Sequence, residues 1–151
     1  MFRRFFTRAA RNASGAAAIE FGMAVPILTL MVIATADIGL GVYRKMQVED
    51  AAQAGAQWAI RNGFDTSGIS KAVTSATNNA SITASPSPVQ FCGCATGSSI
   101  SSVTCGTTCS GGALAGTYAT VSAQLTYSTT LNYLVVATTY NFSLQSTVRL
   151  Q

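Results

Sequence analysis

The sequence contains no histidine and very few charged residues, which make up 9% of its 151 positions. Without an imidazole, the chain alone cannot build a Ser-His-Asp triad, a Cys-His pair or a histidine zinc site. Soluble domains carry about a quarter charged residues, whereas 48% of this chain is hydrophobic. The composition therefore indicates that part of the chain lies in lipid, which leaves room for one modest globular domain outside it.

The few charges are unevenly distributed. Four arginines and no acid lie in the first fifteen residues: Arg3, Arg4, Arg8 and Arg11. From Thr66 to Gln151 the only charged residues are Lys71 and Arg149. This pattern offers no basic face of the kind that binds nucleic acid, so no nucleic-acid partner is expected. A surface so poor in charge favours packing against neighbours or a location outside the cell.

Residues 21–36 form an uncharged apolar run between Glu20 and Asp37. As one helix, residues 16–43 extend for about 42 Å, enough to cross the hydrocarbon layer of about 30 Å once. The arginines before the span outweigh Arg44 and Lys45 after it, so the N-terminus is predicted to stay cytoplasmic and the rest to lie outside. A cleaved secretory signal and a mitochondrial transit peptide are the competing interpretations.

At the start of this run, a basic leader ends at Gly15, and small residues then lead to Glu20 and the aromatic Phe21. A carboxylate at the edge of hydrocarbon is costly unless it is paired, so Glu20 is a candidate functional residue. The alternative is that its side chain simply extends to the cytoplasmic interface.

This junction, GAAAIEF at residues 15–21, resembles the processing site of type IV prepilins. The resemblance implies that a prepilin peptidase cuts between Gly15 and Ala16 on the cytoplasmic side. It also implies that Glu20 pairs with the new α-amino group of Ala16 on an adjacent subunit and so registers each incoming subunit.

With the AVPIL and DIGLGVY segments that follow, the junction resembles the TadE-like minor pilins (pseudopilins) of the Flp/Tad tight-adherence pilus. The resemblance implies a non-enzymatic structural subunit without a cofactor, anchored in the bacterial inner membrane with a periplasmic C-terminal domain. Its expected partners are membrane lipid, the prepilin peptidase, other pilin or pseudopilin subunits and the inner-membrane assembly platform. The expected assembly residues are Glu20, Phe21, Pro26 and Asp37.

Within the same structural class, a type II secretion pseudopilin is an alternative. Two other functional classes compete with this interpretation: a single-span anchored protein whose outer domain binds a surface or ligand, and a membrane enzyme. An enzyme needs acids that converge in a site, and Asp65 is the only acid beyond the long helix, so the enzyme ranks last.

Residues 44–63 have the composition of an amphipathic helix that continues the span. The predicted apolar stripe consists of Met46, Ala52, Ala56, Ala59 and Ile60. Gly63 is the predicted helix stop, and Trp58 is assigned to core packing. A second helix is predicted to start at Asp65-Thr66-Ser67 and to end near Asn78-Asn79.

Alternating residues predict two strands, at 117–126 and 140–150, after a loop marked by Pro86 and Pro88. The second strand places Tyr140, Phe142, Leu144 and Ser146 on one face. Residues 131–136 are apolar enough for a buried turn of helix or strand.

The predicted fold is therefore α+β, with the long helix packed on a small antiparallel sheet. Its divisions are a leader (1–15), a transmembrane helix (16–43), its amphipathic continuation (44–63) and an extracytoplasmic domain (64–151).

Four cysteines fall within the predicted loop 92–109: Cys92, Cys94, Cys105 and Cys109. Two disulfides are favoured because the predicted topology places this loop outside the cytoplasm, where disulfides persist. Zinc and free thiols are the alternatives, but the C-x-C spacing suits zinc poorly. A Cys92–Cys94 bond would close a very tight ring. Bonds that join the first pair, Cys92 and Cys94, to the second pair, Cys105 and Cys109, are geometrically easier. The sequence leaves open which connectivity between the two pairs is used. A catalytic thiol is not expected, because no histidine is present to activate it.

Overall fold

A long helix precedes a shorter one and four strands. The computed structural model describes residues 13–129 and 138–150. Its elements are α1 (Ala13–Asn62), α2 (Thr66–Ser75), β1 (Val89–Thr96), β2 (Ser99–Val103), β3 (Gly116–Ser128) and β4 (Thr139–Arg149). The chain divides between Leu40 and Gly41 into two compact units. The second unit, Gly41–Gln151, is called the outer unit after its predicted location. It contains the end of α1, α2 and the sheet, so the predicted α+β class is confirmed.

Helix α1 is continuous for 50 residues, as the unbroken apolar and alanine-rich sequence predicts. Pro26 lies inside it, and the missing N–H leaves the carbonyl of Gly22 without its usual helical donor. The hydroxyl groups of Thr29 and Thr35 donate to helix carbonyls one turn earlier, each at 2.8 Å. Residues 1–12, which carry the four arginines of the predicted leader, lie outside the described residues.

Gly63 ends α1 as predicted, with a φ of +84° that favours glycine. Its N–H donates to the carbonyl of Ala59 at 2.9 Å. Helix α2 ends at Ser75, so the predicted end near Asn78-Asn79 is wrong. Beyond the C-cap, Ala76, the Asn79 side chain accepts a hydrogen bond from the Ser81 N–H, so a turn and not a helix occupies the predicted end.

The four strands form one antiparallel sheet in the order β2-β1-β3-β4. Strands β3 and β4 confirm the two predicted strands, and β4 alternates between exposed and half-buried residues along its length. The half-buried set includes the predicted face Tyr140, Phe142, Leu144 and Ser146. Strands β1 and β2 lie where a loop was predicted. The predicted turn at 131–136 lies outside the described residues.

The core of the outer unit joins α1, α2 and β3. Its main members are Val48, Ala51, Ala52, Ala56, Ala59, Ile69, Val73, Ile82, Ala119, Val121, Ala123 and Leu125. Met46 and Ile60 are 58% and 55% exposed, so their assignment to the buried stripe is wrong. The buried stripe instead runs through Val48 and Ala51, which follow the helical period. Trp58 packs against the core, as predicted.

Candidate functional site

The processing motif lies at the beginning of α1. Gly15 and Ala16 lie two and three residues after its first residue, Ala13, and both are exposed. Glu20 is exposed one turn further along, and the Phe21 side chain retains 69% of its accessible surface. The motif is therefore presented on an accessible helical turn, and cleavage after Gly15 remains a prediction.

The segment after Glu20 exposes almost all of its apolar side chains. Met23, Ile27 and Val32 are 70%, 62% and 69% exposed. Among the described residues, one helix, Gly15–Asn62, is long and apolar enough to cross a membrane. Its most apolar 18-residue window has a mean hydropathy of 2.1, and none of that window is buried. These properties are those of a single-pass membrane anchor.

The two acids that flank the apolar run differ in environment. Asp37 is only 6% exposed, whereas Glu20 is exposed. They are 17 residues apart, which separates them by about 25 Å along the helix axis and about 100° around it. Pro26, between them, is exposed. The helix therefore does not bring the predicted assembly residues together in one site.

The four cysteines form two disulfides, Cys92–Cys105 and Cys94–Cys109. Cys92 and Cys94 are two residues apart on β1, so both side chains leave the same face of the strand. The prediction of two disulfides is confirmed. Each bond joins one cysteine of the first pair, Cys92 and Cys94, to one cysteine of the second pair, Cys105 and Cys109.

The first half of the predicted cysteine loop is wrong, because Cys92 and Cys94 belong to β1. The second half is a loop after β2 with a short internal bridge between Thr108 and Leu114. Glycine, serine and small side chains give β1 and β2 little hydropathy alternation, which explains why the sequence pattern missed them. The disulfides fix this glycine-rich loop to the sheet, where few apolar side chains are available to do so.

A hydrogen-bonded group of side chains links α1 to the turn after α2. The Arg44 guanidinium donates to Gln47 Oε1 at 2.9 Å, and Asn79 Nδ2 donates to the same oxygen at 3.3 Å. Gln47 Nε2 in turn donates to the Tyr43 hydroxyl at 3.3 Å. Sequence reasoning missed this group, since nothing in the pattern places Asn79 beside residues 32 positions earlier.

The sheet face opposite the core carries uncharged polar side chains across β3 and β4. The hydroxyl groups of Thr120 and Thr147 are 2.9 Å apart, and Thr126 donates to Asn141 at 2.8 Å. Within the described residues, no group of three or more metal-ligating side chains lies together. This face therefore offers hydrogen-bonding groups on both strands.

Asp65 is the N-cap of α2 and the acid with the clearest electrostatic role in the outer unit. Its carboxylate accepts from the Gly68 N–H at 2.8 Å and from the Ser67 hydroxyl at 2.9 Å. These hydrogen bonds, the one from Gly68 foremost, hold the pKa of Asp65 below its ordinary value of 3.8. Asp65 thus serves α2 as a cap, which confirms the predicted helix start.

The family model described as TadE-like protein matches residues 15–57. The match covers the predicted processing motif, the apolar segment and most of the amphipathic part of α1, so this region is similar to the TadE-like family. That family is structural and pilus-associated rather than enzymatic. No curated protein and no solved structure gives a significant match to the chain.

Proposed function

We propose that this protein is a minor pilin of a Tad/Flp-type pilus, anchored in the bacterial inner membrane and trimmed after Gly15 by a prepilin peptidase. The observation that carries the proposal is the Gly15–Glu20 motif, which opens an exposed apolar helix inside the segment that matches the TadE-like family. The C-terminal domain then lies in the periplasm, because the arginines that precede the span favour a cytoplasmic N-terminus.

The apolar part of α1 suits both the membrane-anchored state before assembly and the packing of subunits during assembly. Before assembly its exposed side chains require lipid. During assembly they can pack on equivalent helices of other subunits, where close packing replaces lipid contact. Gly22 and Gly39 leave open space on the helix surface, since a Cβ built on either would meet nothing within 4 Å.

Glu20 supplies the specific contact in this proposal. Removal of the leader creates a positively charged α-amino group at Ala16, and a carboxylate in an apolar environment is stabilised by such a partner. Glu20 is exposed and so is accessible to the amino group of a neighbouring subunit. The pairing would position each incoming subunit relative to the last. The inner-membrane assembly platform is the expected partner that drives the step.

The proposal is tested by comparing two glutamates of α1 in a host that assembles its own Tad pilus and lacks the chromosomal copy of this gene. We expect Glu20→Gln to accumulate in the membrane at normal levels but to abolish most piliation, measured by electron microscopy and by blotting of sheared surface fractions. Glu49→Gln is the matched control, because Glu49 is also exposed on α1 but lies in the outer unit.

Three outcomes would contradict the proposal. Normal piliation of the deletion strain would separate the protein from the pilus and favour an anchored binding protein. Normal piliation with Glu20→Gln would remove the assigned role of Glu20. Equal defects in the Glu20→Gln and Glu49→Gln strains would show that the effect is not specific to the helix start.

A further inference from the structure

Strand β3 runs back along α1 toward the predicted end of the span. A Cβ built on Gly55 would lie 2.8 Å from Val121 Cγ1, and one built on Gly41 would lie 3.8 Å from Tyr127 Cε1. The six strand residues from 121 to 127 cover about 20 Å, and the fourteen helix residues from 55 to 41 cover about 21 Å. The two lengths agree, so β3 and this part of α1 lie antiparallel side by side.

Aromatic residues collect where β3 reaches Gly41. Tyr127 is the cross-strand partner of Tyr140 and stacks on Phe142 with ring centroids 6.4 Å apart. On the helix, Tyr43 is 54% exposed, and the Arg44 guanidinium carbon is 6.0 Å from the centroid of its ring. Lys45 follows and is exposed. We call Tyr43, Arg44, Lys45, Tyr127 and Tyr140 the tyrosine end of the outer unit.

We propose that the tyrosine end lies in the headgroup layer of the bilayer, so that the end of the β-sheet and not only the helix contacts phospholipid. Tyrosine rings favour this layer because their body is apolar and their hydroxyl is polar. Arg44 and Lys45 complement the negative phosphate groups of phospholipids. Tyr43, Arg44 and Lys45 follow the apolar segment on the same continuous helix, which favours the membrane as the surface that the tyrosine end contacts.

The opposite end of the sheet lies far from the tyrosine end. Tyr118 lies nine residues before Tyr127 on the same strand, which corresponds to about 30 Å. Phe91 stacks on Tyr118 with centroids 5.8 Å apart and therefore marks the far end of the sheet. The proposal therefore places Tyr127 and Tyr140 at the membrane and Phe91 well outside it.

Tryptophan quenching by brominated phospholipids tests the proposal in the full chain reconstituted in vesicles of phosphatidylcholine and phosphatidylglycerol. The single native tryptophan, Trp58, is first replaced by phenylalanine. Single tryptophans are then introduced as Tyr140→Trp, as Phe91→Trp at the far end of the sheet, and as Ile27→Trp in the apolar segment. We expect lipids brominated near the headgroup to quench the Tyr140→Trp protein strongly and the Phe91→Trp protein little, while Ile27→Trp reports insertion of the span.

The three tryptophan positions distinguish contact of the sheet with the membrane from insertion of the apolar helix. Quenching of Ile27→Trp without quenching of Tyr140→Trp would overturn it and leave the membrane anchor intact. Equal quenching of Tyr140→Trp and Phe91→Trp would also overturn it, since the sheet would then lie flat on the bilayer. Absence of quenching at all three positions would contradict the anchor as well. The proposal depends on membrane insertion and not on pilus assembly, so loss of the pilus role would leave it standing.

Discussion

Gly55 lies where α1 packs against both α2 and β3. A Cβ at this position would lie 2.6 Å from Val73 Cγ2 and 2.8 Å from Val121 Cγ1. Real Cβ atoms do not approach carbon this closely, so either α1 or the two valine side chains would have to shift. The absence of a side chain at Gly55 is therefore a packing requirement of the outer unit.

We predict that Gly55→Ala destabilises the outer unit. Overpacking a core costs about 1–3 kcal/mol, and the better helix propensity of alanine returns up to about 1 kcal/mol, so a net loss of about 1–2 kcal/mol is expected. Thermal or denaturant unfolding followed by Trp58 fluorescence measures it. Gly39→Ala is the matched control and should not destabilise, because a Cβ there meets nothing within 4 Å. Equal stability of Gly55→Ala and wild type would contradict the packing described.

The stability of the outer unit is predicted to depend on pH through Asp65. Because its pKa is lowered on folding, the charged cap stabilises the folded state above the ordinary pKa of 3.8, and this contribution is lost as the pH falls through the lowered pKa. Asp65→Asn keeps a capping oxygen but not the charge. We expect wild type to unfold at a higher temperature than Asp65→Asn near neutral pH, with the difference shrinking in acid. A difference that stays constant down to the lowest pH would contradict this role.

At the scale of elements, the two disulfides explain how β1, β2 and the following loop remain ordered with few buried side chains. The bonds span 13 and 15 residues, and loops of this length correspond to about 3 kcal/mol of stabilisation each. We predict that Cys92→Ser/Cys105→Ser loses about 3 kcal/mol, retains the Cys94–Cys109 bond and exposes no thiol to alkylation.

The matched control for the disulfide prediction is Cys92→Ser/Cys109→Ser, which also removes two cysteines but one from each bond. It leaves Cys94 and Cys105 without their partners, so we expect alkylation of both thiols and a larger loss of stability. Mass spectrometry after alkylation of the unreduced proteins distinguishes the two variants. The opposite pattern of alkylation would contradict the connectivity.

The same elements show which parts of the fold the sequence could predict. Helix α1 follows from a long apolar run and an alanine-rich continuation, and β3 and β4 follow from alternation such as that of Phe142 and Leu144. Strands β1 and β2 carry small polar residues, so hydropathy gives no signal there. The exclusion of Met46 from the core and the requirement for Gly55 depend on contacts with α2 and β3, which no local pattern contains.

The candidate site likewise has a part that the sequence predicts and a part that only the fold reveals. Gly15, Glu20 and the apolar segment form a local sequence motif that needs no tertiary contact to be seen. The hydrogen bonds of Arg44, Gln47 and Asn79, by contrast, join residues distant in sequence, and only the folded chain reveals them. The burial of Asp37 is likewise invisible from its position in the apolar helix.

At the scale of the whole molecule, the chain combines an apolar anchor with a charge-poor outer unit stabilised by disulfides. The few charges of the outer domain suit a subunit that packs against neighbours, where each buried charge would have to be desolvated. The membrane anchor, the TadE-like match and the processing motif all lie on α1. In the proposed function, trimming after Gly15 converts the membrane-anchored precursor into a subunit competent for assembly.

The central claim is tested most directly by the intact mass of the membrane-extracted protein, produced with and without its cognate prepilin peptidase, together with a Gly15→Ala variant. We predict that the peptidase removes the first fifteen of the 151 residues from wild type and leaves Gly15→Ala uncut. An uncut wild-type leader in the presence of active peptidase would contradict the account, and so would a cut at any other position.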